Sequence, residues 1–297
     1  MMARVDDVSV RHDFVLLFDV ENGNPNGDPD AGNLPRIDPE TGRGLVTDVA
    51  LKRKVRNYVD ALRGNEGRYK IYVQQGAILN DQNKRAYTDL NIKPQSKIES
   101  PGVRKWMCEN FFDVRTFGAV MSTDVNAGQV RGPVQLTMGR SVDSILGLDI
   151  SITRVALTKA SDKSTKSDTG EDQATHGTMG RKAFIPYGLY VANGFIIPAF
   201  AEDTGFSDED LALLWQALVS MWDLDRSASR GLTSCRGLYV FTHSSKLGEA
   251  PAHKLLERIK PSRRPDVQVA RSFADYEVSV ERDGLPTGVE LHVITEG

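Results

Sequence analysis

Apolar and polar positions divide the chain into stretches of period two and stretches of helical period, and one apolar run sets the frame for both. Phe14 to Val20 reads FVLLFDV, a run without a turn former, which predicts a buried central strand. Glu21 to Pro29 is nearly all Asn, Gly, Asp and Pro, residues that tolerate left-handed dihedrals or fix φ. After a short extended piece and a turn at Pro39-Glu40-Thr41-Gly42, Thr47 or Asp48 is placed to cap a helix. Leu51, Val55, Tyr58, Val59 and Leu62 then recur at helical spacing and predict one buried stripe.

Further along, Tyr69 to Gln75 (YKIYVQQ) alternates and predicts a half-exposed strand with Tyr72 on its open side. Such a tyrosine either stacks a base or simply packs. Asn80 to Lys97 is polar and reads as irregular. Ser100-Pro101 predicts a helix start, with Val103, Trp106, Met107 and Phe111 as the apolar face, and Phe112 to Met121 reads as extended with a break at Gly118. Val134, Leu136 and Met138 alternate, as do apolar positions from Ile145 to Leu157, and both read as strands. Lys159 to Lys182 has almost no apolar residues, so it reads as an insertion between strands, either a functional arm or a plain surface loop. Phe184 to Phe200 is strand-like, with breaks expected at Pro186-Tyr187-Gly188 and Asn193-Gly194.

Ser207 and Asp210 have the spacing of a capping box, ahead of an amphipathic helix carrying Leu211, Leu214, Trp215, Leu218 and Trp222. Arg236 to His243 is a strand, and Tyr276 to Val280 with Val289 to Ile294 suggests a terminal hairpin. The order of elements predicts an α+β fold compatible with a split βαβ, ferredoxin-like core. We expect a single domain over 1–297, with insertions at 21–46, 79–130 and 158–183.

The 297 residues are 40% hydrophobic, enough for a sizeable core. A net charge of −3 and a pI near 6.0 argue against a uniformly basic nucleic-acid binder. The charge is segregated, however. Arg43 to Arg63 holds six Lys or Arg against two Asp, Ala201 to Asp225 holds seven acids and no Lys or Arg, and Arg226 to Arg264 holds nine Lys or Arg against two Glu. This distribution suggests a basic groove with an acidic back. Cys108 and Cys235 read as reduced thiols, and neither a membrane-length apolar run nor a secretory leader is evident, so a cytoplasmic protein is expected.

No Walker loop, GxSxG, HExxH or CxxC is present, and the five histidines lack ligand spacing, so neither a cofactor nor a metal site is expected. Two features invite chemistry. Lys52, Arg53, Lys54 and Arg56 crowd the start of a helix, where cations oppose the dipole unless an anion compensates them; a solvated basic face is the plain alternative. Gly128 to Pro133 places Arg131 beside glycines that would let a ligand approach, or is an ordinary turn. Asp28, Asp30, Asp38 and Asp48 are the acids to consider for metal-assisted phosphodiester cleavage, although Asp beside Gly and Pro more often makes turns.

The run FDVENGNPNGDPDAGNLPRIDPETGRG followed by TDVALKRKVRNYV resembles the backbone subunit of the CRISPR surveillance complex Cascade, most closely its type I-C form. The resemblance implies a modified RRM-like core with palm, fingers and a protruding thumb hairpin, the last at the Lys159–Lys182 insertion. It implies a non-catalytic protein whose copies polymerise head to tail along guide RNA (crRNA) and present it to target DNA. The large subunit and the handle-binding, processing subunit are its other expected partners, and no membrane is. On this basis RNA contacts are expected from Asn22, Asn24, Asn26 and Arg36 of the loop and from Lys52, Arg53 and Arg56 of the helix. Gln129, Arg131 and Arg140 are expected on the palm, and Met179, Arg181 and Lys182 at the thumb. Related type III backbone subunits cut RNA with a loop Asp, so a metal-dependent endoribonuclease is the alternative.

Overall fold

The FVLLFDV run becomes the middle of the largest sheet. A computed structural model describes residues 4–97, 100, 102–154 and 178–297. In chain order the strands are β1 (His12–Gly23), β2 (Gly27–Asp28), β3 (Leu34–Pro35), β4 (Arg43–Val46), β5 (Gly118–Ser122), β6 (Asn126–Arg131), β7 (Val134–Leu136), β8 (Gly139–Ser144), β9 (Leu148–Arg154), β10 (Thr178–Ile196), β11 (Leu232–His243), β12 (Ile259–Arg263), β13 (Tyr276–Val280) and β14 (Val289–Glu296). The helices are α1 (Asp48–Arg63), α2 (Leu79–Asp89), α3 (Val103–Asn110), α4 (Phe112–Phe117), α5 (Pro198–Thr204), α6 (Asp208–Leu224) and α7 (Ala252–Leu256).

The main sheet runs β14-β11-β1-β10-β8-β4, and β7 and β9 also pair with β10. β1 is antiparallel to both neighbours, with Leu16 opposite Ala192 on one side and Leu238 on the other. In chain order β1, α1, β8, β10, α6 and β11 form a βαββαβ unit, and the sheet order β11-β1-β10-β8 is that of a ferredoxin-like, RRM-like core.

Alternation along β1 explains what covers each face. Phe14, Leu16, Phe18 and Val20 meet α1 and α6: the Phe14 ring is edge-on to Trp215 at 5.1 Å, and Phe18 stacks on Trp222 at 4.7 Å. Each such side chain contributes about 1.5–3 kcal/mol by leaving water. Val15 and Leu17 point the other way, where Tyr239, Phe241, Leu255, Ile259 and Val289 cover them. Asp19 lies on this second face, 3% exposed, and accepts from Tyr187 Oη at 2.9 Å and Arg236 Nε at 2.7 Å; burial pushes its carboxyl up against the effect of both donors. An RRM stacks bases on its open face, but here chain from the C-terminal third closes that face.

Residues 70–131 build a second lobe with its own core of Tyr72, Tyr87, Trp106, Met107, Phe111 and Met121. Several expectations fail in this lobe. Tyr69–Gln75 is not a strand: Lys70 makes one isolated bridge to Phe111, and the Asp113 carboxylate takes the N–H groups of Tyr72 and Val73. Tyr72 is 1% exposed, so no base can stack on it. The polar stretch after Asn80 contains α2, whose Asn83 and Tyr87 face inward, and Phe112–Phe117 is helical rather than extended. The next helix begins after Gly102, which has φ 84, and not at Ser100; Pro101 lies outside the described residues.

Elsewhere, Leu62 is 52% exposed and does not belong to the α1 stripe, while Leu51, Val55 and Val59 do. β10 runs unbroken through both expected breaks. Gly194 is there because the Phe14 ring lies across it, and a Cβ would come within 2.0 Å of that ring. The terminal hairpin does not form: β13 pairs with β12, and β14 pairs with β11. The capping box of α6 and the apolar face behind it stand as expected. Both cysteines are free thiols. Among the described residues no helix is long and apolar enough to cross a membrane. Most of the 158–183 insertion lies outside the described residues; its end joins β9 to form a ribbon with β10, with Arg181 opposite Ser151 and Lys182 opposite Ile150.

Candidate nucleic-acid interface

The Asn/Gly loop is tied to the start of α1 by a single side chain. Asn26 Oδ1 accepts from both the backbone N and the hydroxyl of Thr47, at 2.9 Å each. Thr47 in turn caps the helix by accepting from Ala50 N. The loop is closed on itself by the β2–β3 pair, by Asn24 Nδ2 donating to Asn33 O at 2.7 Å, and by Leu45 N donating to Arg36 O at 2.9 Å. Asn22 is exposed with φ 50, the left-handed region Asn tolerates. Asn24, in contrast, is 4% exposed and holds the loop rather than presenting itself.

A segment far along the chain completes the site. Asn24 N donates to Ser229 O at 2.7 Å, and Gly23 lies so close to this segment that a Cβ would sit 1.9 Å from Arg230 O. The approach brings Arg230 against the loop, where its Nη1 reaches Pro25 O at 3.5 Å. The sequence reading missed Arg230. The basic composition after Asp225 was visible, but the backbone contact that delivers this one arginine was not.

The four cations of α1 meet different fates. Lys52 pairs with Asp48 at 2.8 Å, and Arg56 Nε with the buried Asp113 at 2.7 Å. Lys54 is 5% exposed, with its ammonium on the Asp225 carboxylate and over the Trp222 ring. Burial, and after it the like charge of Arg230, pushes Lys54 down to about 7. Arg53 is exposed, and Gln75 Oε1 at 2.7 Å is a neutral partner for it. Carboxylates of the chain itself therefore compensate three of the four cations, and Arg53 is exposed and has, among the described residues, only a neutral contact.

Among the remaining expected residues, Arg36 pairs with Asp28 at 3.4 Å, and its Nε is buried without a partner among the described residues. Arg140 reaches Asp38 at 3.2 Å and stays 57% exposed, which joins β8 to the loop. Arg181 is 81% exposed beside Asp149 at 3.5 Å, and Lys182 lies over the Phe184 ring. The ribbon base touches the loop where Gly147 approaches Pro35 and Ile37. Gln129 and Arg131 belong to the β5–β6 hairpin of the second lobe, where the Arg131 guanidinium stacks on Phe200 at 4.4 Å. The Met179 side chain lies outside the described residues.

The acidic back is not free either. Glu202 pairs with Lys246, Asp203 with Arg104, Glu209 with Arg63, Asp210 with Arg115, and Asp223 with Arg226. Charges segregated in the sequence are interleaved in space. Among the described residues no group of three or more His, Cys, Asp or Glu lies where it could hold a metal ion.

A family model described as CRISPR-associated protein Cas7 matches residues 10–281. A curated relative, the CRISPR-associated protein Cas7 of Haloferax volcanii, is 26% identical over 233 residues, which cover 70% of this chain and 64% of that protein's length. Among solved structures, one titled a pre-nicking CRISPR RNA-guided surveillance complex contains a chain matched at a TM-score of 0.50 with 16% identity over 78% of each chain. A chain of another CRISPR RNA-guided surveillance complex matches at 0.47 with 17% identity, over 78% of this chain and 69% of that one.

Proposed function

The chain belongs to the Cas7 family, and from that premise we propose that it is a backbone subunit that binds guide RNA in a CRISPR surveillance complex of type I-C. Copies associate head to tail along the guide, since a heterologous contact that does not close yields an open filament. They present the guide to target DNA beside a large subunit and a handle-binding subunit. The observation that carries this reading is the unit made by the Asn/Gly loop, the start of α1 and Arg230. It is closed by hydrogen bonds and leaves Arg53 exposed with a neutral contact, while Arg140, 57% exposed, joins β8 to the same loop through Asp38. Contacts of this kind reach phosphates and carry no sequence information, which suits a subunit that must accept any guide.

We propose further that the subunit is not a nuclease. Asp28 accepts from Asp30 N and faces Arg36, and Asp38 accepts from Glu40 N and faces Arg140, so both serve turns and cations. The test is to purify the full chain with and without co-expressed guide and to measure the nucleic acid it retains. Retained RNA of guide length supports the reading. A protein that carries no RNA and binds none when titrated defeats it.

A further inference from the structure

Beside the start of α1 the structure has a cavity of about 230 Å³, lined by Asn26, Thr47, Arg53, Lys54, Asp225 and Arg230 among others. Three cations and one carboxylate face it. Asp225 Oδ2 is shared, since Lys54 sits on it and Arg230 Nε lies 3.3 Å away. Among the described residues neither guanidinium is saturated: the Arg230 contacts are long, at 3.3 and 3.5 Å, and Arg53 has only the Gln75 carboxamide. Burial, with the like charge of Arg230 beside it, pushes Lys54 down to about 7. Asn26 commits its carbonyl oxygen to Thr47 twice, and the residue lines the cavity. Charge excess and forked donors in one small concavity match an anion with several acceptor oxygens.

We propose that this cavity seats a single phosphodiester group, with Arg230 as its principal ligand and Arg53 beside it, an assignment that rests on the RNA-binding reading above. Asp225 holds Arg230 at the mouth through one long contact and gives it up when phosphate oxygens arrive. It keeps Lys54, which is too buried to follow. The seat fits one phosphate and leaves the base and most of the sugar outside, so it contributes affinity without sequence preference.

The experiment compares the full-length protein with Arg230→Gln and Arg230→Lys, titrating a fluorescent single-stranded RNA, a DNA of the same sequence, and inorganic phosphate over a salt series. Arg230 is 34% exposed, and its replacement leaves the core intact, which thermal melting checks. Arg230→Gln is expected to weaken RNA about tenfold at low salt, as for one charge-assisted contact. The slope of log affinity against log salt should fall by roughly 0.7, one phosphate on a single strand. Arg230→Lys should keep the slope and recover part of the affinity. Wild-type affinity and slope in Arg230→Gln would overturn the seat while leaving the RNA-binding reading intact. If wild type binds no RNA, that reading fails. Inorganic phosphate that raises the melting temperature of wild type but not of Arg230→Gln would then reassign the cavity to a free anion and overturn the phosphodiester, and no difference between the two would remove the anion as well.

Discussion

Arg56 Nε lies 2.7 Å from Asp113 Oδ2, and the pair joins the first helix of the RRM-like core to the second lobe. Asp113 is 1% exposed and also accepts from Tyr72 N and Val73 N, so a single carboxylate organises the segment that enters the lobe. Three residues away, Arg53 faces solvent. The two arginines look equivalent in the sequence and are not equivalent in the fold.

Their substitutions should separate accordingly. Arg56→Ala leaves the buried carboxylate short of its cation and is expected to cost roughly 2–4 kcal/mol in urea unfolding. Arg53→Ala should change stability by no more than about 0.5 kcal/mol and yet weaken RNA binding. If Arg56→Ala keeps full stability and loses RNA, Arg56 is a ligand and not a strut.

Asp210 predicts a pH dependence. Burial alone would raise its pKa, but Arg115, the Ser207 N–H and Arg68 bring the carboxyl below its ordinary value. A group whose folded pKa is depressed binds its proton more readily in the unfolded chain. Its stabilisation is therefore complete above the unfolded value of about 4 and is lost as pH falls toward the folded one. Wild type should lose stability steeply below about pH 4, and Asp210→Asn should be less stable at neutral pH with a flatter acid limb. Parallel acid limbs in the two proteins would show that Asp210 does not carry this linkage.

What was legible in the sequence follows from the range of the forces involved. The β1 run, the Thr47 cap, the Ser207–Asp210 box and the Trp215 and Trp222 face are local, and each was readable from residues within a few positions of one another. The unbroken β10 was not, because Gly194 answers to Phe14 on another strand. Nor was Tyr72, whose environment is set by Asp113 from across the lobe. The charge map failed for the same reason. Seven acids in one stretch looked like a surface, but Lys54, Arg63, Arg104 and Arg115 come from elsewhere to meet them. In the candidate site the loop and Arg53 were visible in advance, and Arg230 became visible only when the fold closed Gly23 on its carbonyl.

RNA binding is expected to be indifferent to sequence and steep in salt. The cations of the loop, helix start and ribbon include Arg53, Arg140, Arg181 and Arg230, and Tyr187, Tyr239, Phe241 and Tyr276 on the covered sheet face are buried. Two unrelated guides of equal length should bind within a few-fold of each other, and raising salt from about 50 to 200 mM should weaken both by orders of magnitude. A strong preference between guides with a flat salt response would point to base readout instead.

The last expectation concerns cleavage. Hydrolysis of a phosphodiester by metal commonly needs carboxylates that converge on two ions about 4 Å apart. Asp28 and Asp38 instead accept backbone N–H groups of their own turns and face Arg36 and Arg140. The bond from Glu40 N, with help from Thr41 and Arg140, also holds Asp38 below its ordinary pKa, as befits a carboxylate already serving as an acceptor. To bind metal, each would have to give up its arginine and reorganise its turn. RNA held by this subunit alone should therefore stay intact through long incubation with Mg²⁺ or Mn²⁺, and an Asp28→Ala/Asp30→Ala/Asp38→Ala variant should run identically on a denaturing gel. Metal-dependent fragments made by wild type and absent from the variant would replace the scaffold reading with that of an endoribonuclease.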